Sequence, residues 1–160
     1  MVIKQFKSAA GLTLAEVMIA LATLSVAVVG TCGYRYYAAL DARKAVMRRT
    51  AGDVALLLCE SWRGVKGDET YDPAACFASD LPISTVYDGS VEPEDNSFTL
   101  LGAYAVVTNG VKYYAFLSWK DIGAGIRALN VVIAWPRKGQ AETSIADADR
   151  SFELTTYTSH

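Results

Sequence analysis

The chain has 160 residues and a mass of 17.2 kDa; this suits one domain, or one domain with an appendage, since domains run about 100–150 residues, and excludes a large multidomain enzyme. Hydrophobic residues make up 52%, charged residues 20%, and mean hydropathy is +0.20, which argues against wholesale disorder and directs attention to a membrane segment. With 15 basic and 17 acidic side chains the formal charge is −2, so the chain lacks the basic excess that nucleic-acid binders use, and no nucleic-acid partner is expected.

In chain order, a short basic head carrying Lys4 and Lys7 precedes residues 12–33, where Glu16 is the only ionisable side chain among 22 residues apart from cysteine thiol. A helix needs about 20 residues to cross a bilayer. Lysines ahead of the run are expected to stay cytoplasmic, which exports everything after Tyr34. A cleaved secretory signal fits Ala20, Leu21 and Ala22 as its small-residue site, but the apolar run continues to Val29 and Glu16 interrupts the short core upstream. A lipoprotein signal ending at Cys32 is weakened by Thr31 before it. An ordinary signal anchor explains the lysines and the run and gives Glu16 no task.

A carboxylate in or near hydrocarbon is costly, and intramembrane ionisable groups are functional candidates by default. Glu16 needs a cation. A cut between Gly11 and Leu12 would free an α-amine on Leu12, four residues from Glu16, and residues four apart share a helix face.

The stretch Lys7-Ser-Ala-Ala-Gly11-Leu12-Thr13-Leu14-Ala15-Glu16-Val17-Met18 resembles the class III signal of type IV pilins and type II secretion pseudopilins. The resemblance implies that prepilin peptidase cuts after Gly11, that Leu12 becomes the methylated terminus, and that Thr13 and Glu16 serve assembly. It implies an inner-membrane precursor with an exported domain, and a mature form in a periplasmic or cell-surface filament of pilins or pseudopilins. Leu12 stands where many major pilins carry phenylalanine, and the apolar run has no proline to kink it, though Gly30 and Gly33 can loosen a helix. These departures point to a minor pilin or pseudopilin. The domain reading is therefore leader 1–11, apolar half-helix 12–33, and extracytoplasmic domain 34–160.

Helix formers and the absence of proline extend the helix to about Arg63, roughly 78 Å in all, far more than a bilayer requires. Arg49 and Asp53 are spaced to pair. The almost wholly apolar 54–59 segment is expected where a sheet covers the helix. Arg43, Lys44, Arg48 and Arg49 read as a solvated or subunit-facing surface rather than a lipid patch, because Asp41 and Asp53 are interspersed. Tyr34, Tyr36 and Tyr37 read as an interfacial aromatic belt.

Residues 64–96 are punctuated by Gly64, Gly67, Pro73, Pro82, Gly89 and Pro93 and read as a connecting loop with short local structure. Asp88, Glu92, Glu94 and Asp95 could hold calcium through hard oxygens, but lack EF-hand spacing; a solvated acidic turn is expected and no cofactor.

The remainder alternates like antiparallel sheet. Residues 98–108 and 111–120 flank Asn109-Gly110, a strong hairpin signal because both central residues must take positive φ. Val111, Tyr113, Ala115, Leu117 and Trp119 share one face. Residues 126–135 form a third strand with Leu129, Val131, Ile133 and Trp135 on one face, and 151–157 a last one. The fold class is thus α+β, a long N-terminal helix whose second half covers a four-stranded antiparallel sheet. The tail Val131-Val132-Ile133-Ala134-Trp135 with Leu154-Thr155-Thr156 is similar to V-type minor pilins and I-type pseudopilins.

Cys59 at the helix end and Cys76 in the following loop are expected to bridge, closing a loop of about 17 residues and stabilising by about 3 kcal/mol. Cys32 is expected to be a small packing residue. An enzyme is not expected: the single histidine, His160, is terminal, no Gly-x-Ser-x-Gly or phosphate loop occurs, and the cysteines match no common zinc spacing.

Overall fold

The computed structural model describes residues 13–79, 81–86, 97–136, 145 and 148–159. The leader, the cleavage and methylation residues Gly11 and Leu12, and the acidic group Asp88, Glu92, Glu94 and Asp95 lie outside the described residues. One helix, α1 (Leu14–Gly64), is followed by α2 (Pro73–Cys76) and strands β1 (Ile83–Thr85), β2 (Thr99–Thr108), β3 (Val111–Gly123), β4 (Ile126–Trp135) and β5 (Arg150–Ser159). The chain divides into two compact units, Met1–Ala45 and Val46–His160.

In the first unit, α1 has no side chain packed in a core. Leu14, Val26 and Val29 are 81%, 74% and 72% exposed, and every described residue up to position 45 is exposed except the half-buried Gly33. Its hydroxyls are satisfied within the helix: Thr23 donates to the carbonyls of Ile19 (3.0 Å) and Ala20 (2.9 Å), Ser25 to Leu21 (2.7 Å) and Thr31 to Ala27 (2.5 Å). Such back-bonding removes the penalty of placing a hydroxyl in hydrocarbon. Cys32, expected to pack, is exposed here.

In the second unit, Met47, Ala51, Val54, Ala55, Leu58, Cys59 and Trp62 of α1 are buried. Steps of three and four residues put them on one stripe. Leu56 and Leu57, inside the same apolar run, face away and stay exposed, so four of the six residues 54–59 serve the core. The stripe packs with Tyr104, Val106, Tyr113, Ala115, Leu117, Leu129, Val131, Ile133 and Trp135 of the sheet. These are alternate residues of β2, β3 and β4, as a period of two requires.

The sheet has five antiparallel strands in the order β1-β2-β3-β4-β5, not four. The added strand is β1, whose Ile83, Ser84 and Thr85 pair with Val106, Ala105 and Tyr104. Three residues behind Pro82 carry no legible alternation, and pairing to β2 rather than local pattern makes them a strand. The opposite face of the sheet is also partly covered: Ala103, Ala105, Tyr114 and Phe116 are buried there with Val86, Ile145 and Ala148 against them. The β2–β3 turn is the expected hairpin, with φ +52° at Asn109 and +72° at Gly110. β5 forms one edge, pairs with β4 through all ten residues without a bulge, and makes no other backbone hydrogen bond among the described residues.

The end of α1 is closed by two backbone bonds, Gly67 N–H to Trp62 C=O (3.0 Å) and Lys66 N–H to Arg63 C=O (2.9 Å). That pattern satisfies two terminal carbonyls and requires a left-handed residue, here Lys66 at φ +58°. Gly67, at φ +71°, follows so closely on the sheet that a Cβ would lie 3.0 Å from Leu129 Cδ2 and 3.1 Å from Thr158 Cγ2. Arg127, only 5% exposed, fastens this turn. Its guanidinium donates to the Gly67 carbonyl (2.9 Å), to Glu69 (2.9 Å) and to both oxygens of Asp121 (2.7 and 3.1 Å), and it stacks 3.9 Å from the centre of the Trp119 ring. The hydrogen bonds it donates to Asp121, and then to Glu69, raise its pKa above the ordinary arginine value.

Candidate functional site: the capped start of the apolar helix

Thr13 and Glu16, separated in sequence by Leu14 and Ala15, are brought together at the start of α1. Glu16 Oε2 accepts from the Thr13 backbone N–H (2.8 Å) and from the Thr13 hydroxyl (2.9 Å), while Thr13 Oγ1 accepts from the Glu16 N–H (3.3 Å). This is a capping box: the side chain three residues into the helix and the capping hydroxyl satisfy each other's amides. A helix leaves its first four N–H groups without internal partners, and where water is scarce each such group is expensive. The Thr-x-x-Glu signature was available in the sequence, where only an ionic role for Glu16 was read.

Both bonds to Glu16 converge on Oε2, so Oε1 accepts no hydrogen bond among the described residues. The carboxylate is exposed. Downstream, α1 is long and apolar enough to span a membrane by length and composition, with an 18-residue window of mean hydropathy 2.0 and no part of that window buried. Such a large exposed apolar surface needs a cover of lipid or protein.

Of the other expected site residues, Cys59 and Cys76 are not joined. Both are free thiols, Cys59 buried and Cys76 exposed. Cys59 lies on the sheet-facing stripe beside Ala55 and Trp62, and burial pushes its thiol pKa up; Cys76 ends α2 and faces solvent. Sequence separation fixed the loop length but not the direction of either side chain. Among the described residues no group of three or more His, Cys, Asp or Glu side chains is placed to hold a metal ion.

The Arg127, Asp121, Glu69 and Trp119 cluster escaped the sequence reading. Its signal was present, because Arg127 is in phase with the inward-facing Leu129, Val131 and Ile133. An arginine in that phase must find carboxylates, and Asp121 stands directly across from it in β3. With four of the five guanidinium N–H donors engaged by the protein itself, the cluster ties the α1 end to the sheet. Comparisons of the chain with protein-family models, with curated proteins and with solved structures return no match.

Proposed function

We propose that the chain is a structural subunit, a minor pilin or pseudopilin of a type IV pilus or type II secretion-type filament, cut by prepilin peptidase after Gly11 and assembled through its apolar helix. The observation that carries this reading is the carboxylate of Glu16 at the head of an exposed apolar helix, with one oxygen that accepts no hydrogen bond among the described residues. A basic leader and Gly11 precede it at the spacing of a prepilin signal. The α+β arrangement of a long helix on an antiparallel sheet is compatible with a pilin-like fold. In the proposed mechanism neighbouring apolar helices pack, and Glu16 Oε1 accepts from the methylated Leu12 amine of its own or an adjacent subunit, which offsets the desolvation of both charges.

A second reading has one observation in its favour. The capping box gives Glu16 a local task, so a monomeric signal-anchored binding module also accounts for it. Two variants separate the readings. Gly11→Val should leave an uncut precursor, whereas wild type should yield a mature protein beginning at methylated Leu12 by mass spectrometry; a native chain still carrying its lysine-bearing leader would exclude the filament proposal. Glu16→Gln keeps a side chain that serves in capping boxes and removes the charge. Incorporation into filaments should fall about tenfold or more while membrane insertion is retained, in keeping with the cost of an unpaired charge in low dielectric. Incorporation equal to wild type would eliminate the ionic mechanism.

A further inference from the structure

Residues 34–45 of α1 carry a second surface. At about 100° per residue, Arg35, Tyr36, Leu40 and Arg43 fall within about 140° of the helix circumference, with Ala38, Ala42 and Ala45 on the other side. All are exposed, and the Tyr36 and Tyr37 rings meet edge to face at 5.7 Å. Asp41 is the only carboxylate in this segment. It binds Lys44 at 2.8 Å, so the interspersed acid that would make the segment an ordinary solvated surface is already neutralised within its own turn. Arg35 and Arg43 have no carboxylate partner among the described residues.

We infer that this face binds the headgroups of anionic phospholipids at the membrane surface where the apolar run ends. The position follows from helix geometry. Arg35 and the tyrosines lie within one turn of Gly33, at the depth where aromatic side chains collect. Arg43 is ten residues beyond Gly33, about 15 Å for an upright helix, and the headgroup layer extends about 5–7 Å beyond the hydrocarbon. Helical side chains lean toward the N-terminus, here toward the bilayer, and the usual tilt of a spanning helix shortens the gap further. A guanidinium offers a phosphate two parallel N–H donors. Charge, aromatic placement and chain position therefore select one occupant, a phosphate-bearing lipid with net negative charge. The inference rests on the proposed reading only in that α1 spans the bilayer; it needs neither cleavage at Gly11 nor assembly.

The test uses the full chain reconstituted in phosphatidylcholine vesicles containing a minority of phosphatidylglycerol, gentle detergent extraction, and quantification of the retained lipid by headgroup. Wild type should retain phosphatidylglycerol at about threefold or more its share in the vesicle, and Arg35→Gln with Arg43→Gln should return it to that share. Arg48→Gln, on another side of the helix, should leave the enrichment intact. Absence of enrichment in wild type, its survival in the double variant, or an equal fall in Arg48→Gln overturns the inference. A double variant with unchanged lipid but reduced self-association would assign the face to protein and overturn it too. Alkaline carbonate extraction is read in parallel: a chain stripped from the vesicles fails the spanning requirement, whereas a retained chain without lipid enrichment fails this inference alone.

Discussion

The two stretches of α1, residues 14–45 and 46–64, belong to one helix without a break, yet their side chains meet different surroundings. The second stretch has a buried stripe of seven residues set against alternate positions of three strands. The first has helical hydroxyl back-bonds and an N-terminal cap, and its apolar side chains are exposed. Backbone hydrogen bonding is therefore common to both, while the source of stability is not: tertiary packing orders the second stretch, and the first must be completed by an apolar environment or by other chains.

The contrast can be broken most strongly at leucine. Leu58→Ala, at a fully buried position, should cost about 3 kcal/mol, whereas Leu24→Ala on the exposed stretch should change the unfolding of the sheet unit by less than about 0.5 kcal/mol. Urea melts followed by tryptophan fluorescence check this cleanly, because all three tryptophans, Trp62, Trp119 and Trp135, lie in the second unit. Equal effects at the two sites would mean that the first stretch also packs against the sheet unit.

A somewhat smaller effect should appear with alkali. Burial raises the Tyr104 phenol from 10 to about 12. The unfolded chain then loses this proton first, so the contribution is fully present below pH 10 and is lost as pH rises through about 12. That amounts to about 2–3 kcal/mol for the pair of states. Tyr104→Phe should remove that part of the pH dependence, measured as the urea midpoint between pH 9 and 12, and should leave the exposed stretch of α1 unaffected. The smallest change sharpens the boundary of α1. Lys66 holds the left-handed position that glycine normally fills, so Lys66→Gly should raise stability by up to about 1 kcal/mol in the same assay; a loss would show that the lysine side chain contributes contacts outweighing its backbone strain.

Most of the sheet could be read before folding because its signals are local. Asn109-Gly110 fixes one hairpin, and the alternation through Tyr113, Ala115, Leu117 and through Leu129, Val131, Ile133 fixes the faces. The 126–135 strand was bounded as it occurs. β1 was missed because a three-residue strand has no period of its own. The expected cysteine bridge is not formed in the structure; spacing contains no direction, and direction comes from the sheet-facing stripe that places Cys59 inside. At the candidate site, Thr13 and Glu16 were legible as a pair, but the capping geometry assigns one carboxylate oxygen to the helix and leaves the other open. That division depends on rotamers which no pattern of residue types encodes. Arg127 is in phase with Leu129, Val131 and Ile133, but its partners Glu69 and Asp121 lie in the turn after α1 and in β3, and no local pattern joins those segments.

The last strand has a practical consequence. β5 pairs through its whole length on one side and has neither proline, lysine nor bulge, devices by which proteins usually discourage further strand addition, while β1 at the other edge is three residues long and preceded by Pro82. Once the apolar stretch of α1 is covered by lipid or detergent, concentrated preparations should associate first by strand addition at the β5 rim while the core is still intact.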